Sequence, residues 1–222
     1  MKNNLSNYVI VFDLDDTLYK EIDYRNSGML AVVRLIDRCL GLNTGPFVKK
    51  LLANNIQCDI FGAICSEYHL PNTMKESMIW EYRLHRPDIK LETDDSELIN
   101  ELQLRCTAVV LLTDGRVVTQ SLKIDALGLS HLPSYISEQY GAGKPNSTRF
   151  ETIEKKYPGQ SFVYIADNPE KDFVAPNRLG WITVGLLDDG RNIHSQFPNF
   201  LSGSFLPDHW ISKLSDIWDV LC

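Results

Sequence analysis

An apolar run that ends in a cluster of acidic residues constrains this chain more than any other stretch. Residues 9–12 read Val-Ile-Val-Phe, and the next five positions contain Asp13, Asp15, Asp16 and Thr17. A short β-branched or aromatic run is typical of a strand buried on both faces, as in a parallel sheet. The loop after such a strand lies at the carboxyl edge, where open α/β sheets bind ligands. We therefore expect Asp13 and Asp15 to lie in a crevice at that edge.

The close spacing of Asp13 and Asp15 is costly unless something compensates their charge. Both carboxylates lose hydration at a buried strand end, and they repel each other. A hard divalent cation is the simplest compensation, and Mg²⁺ prefers oxygen ligands of this kind. An isolated acidic triplet is more often a turn with an Asx cap. The prediction of a metal site therefore depends on partners supplied by the rest of the chain.

Composition limits the classes of partner. The 222 residues carry a net charge of −7, which argues against sequence-independent binding of a nucleic-acid backbone. A small phosphorylated metabolite is still compatible with this net charge, because one local positive site suffices to bind it.

No run of about 18 apolar residues is present, so we expect no membrane span. The N-terminal residues lead straight into the first strand, and we expect a cytoplasmic protein without a signal peptide. The sequence does not distinguish a monomer from a dimer.

A helical pattern occupies residues 20–87. Apolar residues recur at helical spacing in four segments that end near residues 40, 52, 68 and 82. Thr73 and Glu76 have the spacing of a capping box at the start of the fourth segment. The pattern predicts a small helical bundle inserted directly after the acidic loop, which suggests a lid.

Strands and helices alternate after residue 87. We expect strands at 107–112, 134–137, 161–166 and 181–185, with helices at 94–104, 117–127 and 148–157, the last opened by a Thr148–Glu151 capping box. A loop to about residue 207 and a closing helix from His209 to Leu221 complete the prediction. The expected fold is α/β, a Rossmann-like, doubly wound and mostly parallel sheet. Its core domain would comprise residues 1–19 and 88–222, and residues 20–87 would form an inserted α-helical cap domain.

Further candidate site residues stand at the ends of the predicted strands. Thr113 ends one strand, Asp167 follows another, and Lys144 lies in the loop after the brief strand at 134–137. In a parallel sheet these positions meet at one edge. Each alone has an ordinary explanation as a strand terminus, a helix cap or a solvated charge. Together they suit phosphoryl transfer, in which a metal, a cationic side chain and hydrogen-bond donors stabilise the charge on the phosphoryl oxygens.

The sequence resembles phosphatases of the haloacid dehalogenase superfamily with a helical cap of the C1 type, which is inserted after the first motif. Residues 13–17, Asp-Leu-Asp-Asp-Thr, match the first motif of that superfamily, Asp-x-Asp-x-Thr. Thr113 at a strand end matches the second motif, and Lys144 in Gly-Lys-Pro matches the third. Asp167 and Asp172 match the acidic fourth motif. The resemblance covers nearly the whole chain and weakens after about residue 187.

The resemblance implies a role for each motif residue in catalysis. Asp13 would be the nucleophile that forms an aspartyl phosphate, and Asp15 would act as acid and then base. Thr113 and Lys144 would stabilise the phosphoryl group. The expected substrate-binding residues are Thr113, Asp114, Gly115 and Lys144.

The resemblance also implies a Mg²⁺ site. Its expected residues are Asp13, Asp15 through its carbonyl oxygen, Asp167 and Asp172, the last supporting Lys144 or a metal-bound water. One departure is Ala166, where the superfamily usually has Gly before the acidic residue.

We therefore expect a Mg²⁺-dependent phosphomonoester hydrolase that acts on a small phosphorylated metabolite, a nucleoside monophosphate or a sugar phosphate. A phosphomutase of the same superfamily is the nearest alternative. A dehalogenase is disfavoured, because superfamily members with that activity lack the acid found here at Asp15. A phospho-accepting signalling module is disfavoured by the Asp-x-Asp spacing and by the helical insert. A catalytically silent scaffold is disfavoured by the retention of all motif residues.

Overall fold

The computed structural model describes residues 5–53, 59–194, 196 and 203–221. The chain divides into two compact units, one formed by Met1–Ile22 with Lys90–Cys222 and the other by Asp23–Ile89. The first unit contains the sheet and all the candidate site residues. The second contains helices, as expected for residues 20–87, and its action as a cap remains a proposal. Among the described residues, no helix has both the length and the hydropathy needed to cross a bilayer.

A parallel six-stranded sheet forms the centre of the first unit, which confirms the predicted fold class. In chain order the strands are β1 (Tyr8–Phe12), β2 (Ala108–Thr113), β3 (Ser134–Ile136), β4 (Ser161–Ala166), β5 (Ile182–Leu186) and β6 (His209–Ile211). Their spatial order is β3-β2-β1-β4-β5-β6, and every pair is parallel. Because β1 lies between β2 and β4, its apolar residues are buried on both faces, as their composition predicted.

The helices occur largely where the apolar spacing predicted them. In chain order they are α1 (Glu21–Leu40), α2 (Gly45–Ala53), α3 (Ile60–Glu67), α4 (Thr73–Leu84), α5 (Thr93–Arg105), α6 (Val117–Ala126), α7 (Thr148–Lys156), α8 (Val174–Arg178) and α9 (Ile217–Leu221). The short helix α8 was not predicted, because five residues are too few to show a helical period. The predicted capping boxes are not formed as expected. Asn72 precedes α4 without a side-chain capping bond, and Ser147 rather than Thr148 bonds to Glu151, at 2.7 Å.

Each unit has its own apolar core. On one face of the sheet, alternate residues of β1, Val9 and Val11, pack with aromatic residues from other elements. These aromatic residues are Tyr135, Phe150, Phe162, Tyr164, Phe173 and Trp181. In the second unit, Met29, Val32 and Ile36 form one stripe of α1 and pack with residues of α2 to α4. Burial of these two faces is the main source of favourable folding energy in each unit.

The C-terminal segment differs from the prediction. The expected helix from His209 to Leu221 is wrong, because residues 209–211 form β6 beside β5 and α9 begins only at Ile217. The close approach of β6 requires the glycine at position 185, since a Cβ there would lie 2.5 Å from the Trp210 ring. A strand of three residues is too short for its alternation to be read. Within the loop expected to run to residue 207, residues 195 and 197–202 lie outside the described residues.

Candidate active site

Lys144 forms ion pairs with two aspartates at the carboxyl edge of the sheet. Its ammonium nitrogen lies 2.7 Å from Asp13 Oδ2 and 2.6 Å from Asp172 Oδ1, and it donates to the Tyr164 hydroxyl at 3.0 Å. The side chain is fully buried. Burial alone would lower the pKa of Lys144, but the charges of Asp13 and Asp172 raise it well above its ordinary value. The site therefore contains a permanent buried cation.

Asp13, Asp167 and Asp172 form a cluster of buried carboxylates around this cation. One oxygen from each lies within 4.8 Å of the other two. Burial raises the pKa of Asp13 to about 6, although Lys144 opposes the shift. Burial, with the charges of Asp172 and Asp13, raises the pKa of Asp167 to about 8. One ammonium does not balance three carboxylates, and an added divalent cation would. The oxygen ligands and the excess negative charge fit Mg²⁺.

Polar groups from two loops hold the carboxylates of this cluster. The backbone amide of Asn168 donates to Asp172 Oδ2 at 2.8 Å. From the loop after β5, Asn192 donates to Asp167 Oδ2 at 3.0 Å, and Gln196 donates to the Asp167 carbonyl at 2.9 Å. Sequence reasoning missed Asn192 and Gln196, because they belong to no motif. Ala166, the departure from the fourth motif, is buried in the core, where its methyl group is accommodated.

The last residue of β2 contributes an unpartnered hydroxyl. Thr113 Oγ1 is buried and has no hydrogen-bond partner among the described residues, and Thr113 lines the same cleft as Asp13. Asp114 also lines the cleft, but its carboxylate pairs with Arg149 and accepts the Lys144 amide at 3.1 Å. Gly115 does not line the described part of the cleft, and its amide donates to Ser137 Oγ at 2.9 Å. Of these neighbours, Thr113 therefore has the side chain best placed to bind an anion.

Asp15 has an environment of its own, separate from the carboxylate cluster. Lys123 lies 2.7 Å from its Oδ1, Gln120 donates to its Oδ2 at 3.1 Å, and the Tyr19 hydroxyl donates to its Oδ1. Burial would raise the pKa of Asp15, but the Lys123 charge and these hydrogen bonds lower it below its usual value. Sequence reasoning missed Lys123 and Gln120. Their only signal is that they lie on the buried face of α6 together with Ile124.

The carboxylates open onto a small cleft of about 290 Å³. Five residues outside the motifs also line it: Glu21, Asp114, Asn168, Lys171 and His194. Burial and the neighbouring charge of Asp15 raise the pKa of Glu21 to about 7, although Lys123 opposes the shift. The lining consists mostly of charged and polar side chains, which suits a polar ligand.

Comparisons with known proteins agree with the fold. No protein-family profile matches the chain. A glyceraldehyde 3-phosphate phosphatase from Methanocaldococcus jannaschii is 25% identical over 192 residues, which is 80% of this chain and 84% of that protein.

Solved structures show the same fold. The HAD-hydrolase YfnB from Bacillus subtilis, solved with magnesium bound, has a TM-score of 0.63 and 19% identity, covering 97% of this chain and 99% of that one. A putative β-phosphoglucomutase from Thermotoga maritima has a TM-score of 0.65 and 15% identity, covering 96% of this chain and 97% of that one. With its parallel sheet and with the residues of all four motifs at one edge, this chain has the fold of these hydrolases.

Proposed function

We propose that this protein is a Mg²⁺-dependent phosphatase that hydrolyses a small phosphate monoester through an aspartyl phosphate on Asp13. The observation that supports this most directly is the arrangement at the cleft floor. Asp13, the proposed nucleophile, and Thr113, with its unpartnered hydroxyl, line the cleft, and the buried Lys144 ammonium contacts Asp13 at 2.7 Å. A transferring phosphoryl group requires such donors around its oxygens. The curated relative, named as a phosphatase, supports the same activity.

In the first half-reaction, a carboxylate oxygen of Asp13 attacks phosphorus and the ester oxygen leaves. Lys144 and Thr113 donate hydrogen bonds to the phosphoryl oxygens. Asp13, Asp167 and the Asp15 carbonyl, with Asp172 behind them, would hold Mg²⁺, which supplies positive charge to the phosphoryl group when bound. The Asp15 carboxylate lies outside the described metal cluster and is therefore available for proton transfer.

Asp15 moves the proton in both half-reactions. It gives a proton to the departing alcohol and then takes one from the water that attacks the aspartyl phosphate. Asp13 and Asp15 are two residues apart, yet the pKa of Asp13 is raised and that of Asp15 is lowered. The lowered pKa of Asp15 suits the base of the second half-reaction, whereas its acid role in the first requires Asp15 to gain a proton against the charge of Lys123.

The proposed substrate class is a small phosphorylated metabolite. The relative acts, by its name, on glyceraldehyde 3-phosphate, and the polar lining of the cleft suits a phosphorylated ligand. Sugar phosphates and nucleoside monophosphates therefore belong in one panel, with phosphate release as the readout. We further propose that residues 20–87 act as a cap that selects among them. The cytoplasmic location and the oligomeric state stay predictions.

A phosphomutase is the second candidate, because one structural neighbour is named a putative β-phosphoglucomutase. A mutase returns the phosphoryl group to the sugar, whereas a phosphatase releases it to water. Analysis of the products from a hexose phosphate separates the two: isomerised sugar phosphate without free phosphate would contradict the proposal.

The decisive experiment uses an aryl phosphate with substituted Asp15 and Asp13. The aryl leaving group hardly needs an acid, so Asp15→Asn should still transfer the phosphoryl group to Asp13. Water attack would then lack its base and slow by roughly 10²- to 10⁴-fold. We expect a burst of phenol near one equivalent, and one added phosphoryl group by intact-mass measurement. Asp13→Asn should show neither.

The control for this experiment is Asp125→Asn, which changes an exposed aspartate on α6 and should behave as the wild type. Phosphorylation that persists in Asp13→Asn would refute the assignment. Full turnover after removal of divalent ions by EDTA would refute the metal requirement.

A further inference from the structure

Lys123 is a buried cation that belongs to none of the four motifs. Its side chain is 4% exposed, and its ammonium nitrogen lies 2.7 Å from Asp15 Oδ1. It also lies over the Tyr19 ring, at 5.9 Å from the centroid, and its charge acts on Glu21. Burial of a lysine is costly, and an apolar side chain would fill the same volume without that cost. Packing alone therefore does not explain why a lysine occupies this buried position.

Lys123 does not contact the cleft directly. It is not among the described residues that line the cleft, whereas Asp15, its ion-pair partner, is. Lys144 contacts the candidate nucleophile Asp13 at 2.7 Å, whereas Lys123 contacts Asp15 and the Tyr19 ring. Any effect of Lys123 on the reaction must therefore pass through the carboxylate that it holds.

Gln120 holds the other oxygen of the same carboxylate. It donates to Asp15 Oδ2 at 3.1 Å and to the Asp114 carbonyl at 2.6 Å. Residues 120 and 123 are three apart and share one face of α6. Helix α6 thus contacts both carboxylate oxygens of Asp15 and the carbonyl of Asp114, the residue that follows Thr113.

We propose that Lys123 is a positioning residue for Asp15 and that, with Gln120, it forms an α6 brace that fixes the plane of the Asp15 carboxylate at the cleft. The proposal rests on the proposed function in one respect, the proton-transfer role of Asp15. Without the brace, the carboxylate samples several rotamers, and only a fraction of them place an oxygen for proton transfer. Because Lys123 does not touch the phosphoryl group, its loss should lower kcat and leave KM nearly unchanged.

The expected magnitude follows from the indirect role. Removal of a group that orients a reacting residue typically costs 10- to 100-fold, and we expect roughly that loss in kcat for Lys123→Met with an alkyl phosphate. Lys123→Arg keeps a cation of similar reach and should recover part of the loss. Gln120→Met removes the weaker contact and should lose about 3- to 10-fold. Lys156→Met, an exposed substitution on α7, is the matched control and should leave kcat unchanged.

A double-mutant cycle separates positioning from general damage. Lys123→Met is combined with Asp15→Asn, and single-turnover phosphoryl transfer from an aryl phosphate and its subsequent hydrolysis are both measured. If the brace acts through Asp15, Lys123→Met should have less than about a 3-fold effect in the Asp15→Asn background. An equal loss in both backgrounds would overturn the proposal, and so would a raised KM at unchanged kcat.

A crystal structure of Lys123→Met tests the brace without any activity. We expect the Asp15 side chain to lose its single orientation while Asp13 and Lys144 keep theirs. An unchanged, well-ordered Asp15 would overturn the proposal. Should Lys123→Met not fold, Gln120→Met provides the same two measurements. A wild type that releases no phosphate from any ester would refute the proposed function alone, since the structural measurement would still decide the brace.

Discussion

Replacement of Asp167 by asparagine should stabilise the metal-free protein, although it removes a residue of the proposed metal site. Burial, together with Asp172 and Asp13, raises the pKa of Asp167 from 3.8 to about 8. Between these values the folded protein binds a proton at Asp167 that the unfolded chain does not. The free energy of unfolding therefore falls as the pH rises from about 4 to 8. An asparagine side chain at this position would carry no charge and would avoid this cost.

The size of the expected stabilisation follows from the pKa shift of Asp167. Each pKa unit corresponds to about 1.4 kcal/mol, so at pH 7 the roughly three units above 3.8 set an upper limit near 4 kcal/mol. Asn192 donates a hydrogen bond to Asp167 Oδ2, and this bond is weaker when the acceptor is the neutral amide of the variant. The weaker bond reduces the stabilisation. We expect a net stabilisation on the order of 2 kcal/mol, or a rise in Tm of roughly 4–8 °C for a chain of this size.

The assay is thermal unfolding in EDTA and in excess Mg²⁺ across this pH range. For the wild type in EDTA, Tm should fall as the pH rises, and Mg²⁺ should restore it most strongly near pH 8. At a Mg²⁺ concentration of 100 times Kd, binding adds about 2.7 kcal/mol to the free energy of unfolding. Asp167→Asn should show a shallower pH dependence and lose most of the Mg²⁺ effect. The exposed Asp219→Asn is the control and should follow the wild type. An Asp167→Asn protein that melts below the wild type in EDTA at pH 8, or that keeps the full Mg²⁺ effect, would refute the reasoning.

Three further outcomes are expected. Thr113→Val should lower kcat/KM by roughly 10- to 100-fold without lowering Tm, because the hydroxyl has no described protein partner and its loss removes only a donor to the phosphoryl group; an unchanged kcat/KM would exclude Thr113 from the site. Gly115→Ala should destabilise the protein by about 1–3 kcal/mol in urea unfolding, because φ is +145° and a Cβ would lie 2.6 Å from Gln120 Nε2; Gly128→Ala, also at positive φ but with no atom within 4 Å of its Cβ, should cost less. Exchange of residues 23–89 for the corresponding segment of a relative should change the order of preferred substrates in the phosphate-release panel, and an unchanged order would place specificity in the first unit.

The strand ends could be predicted from the sequence because their signal is local. A buried parallel strand requires a continuous apolar run, and the residue after it lies at the ligand-binding edge. Thus Asp13, Thr113 and Asp167 follow from the strands that precede them, and the structure places all three in one cleft. Their chemical roles followed from the motif resemblance, and those roles stay predictions.

The supporting groups could not be predicted, because their partners are distant in the chain. Lys123 is 108 positions from Asp15, and Asn192 is 25 positions from Asp167. Hydrogen bonds over such separations leave no period in the sequence. The strand β6 was missed for a different reason, since three residues cannot show an alternation and the apolar residues beyond them suggested a helix. Pairing with β5 determines that residues 209–211 form a strand.

The opposite pKa shifts of Asp13 and Asp15 link metal binding to the proposed chemistry. Asp13 lies among Lys144, Asp172 and Asp167, and burial raises its pKa to about 6. Asp15 lies against Lys123 and Gln120, which lower its pKa despite burial. A nucleophile must be ionised, and a divalent cation beside Asp13 would lower this raised pKa because it favours the carboxylate. Mg²⁺ would therefore favour the attacking form of Asp13 as well as the binding of the phosphoryl group, while the α6 brace orients the Asp15 carboxylate for proton transfer.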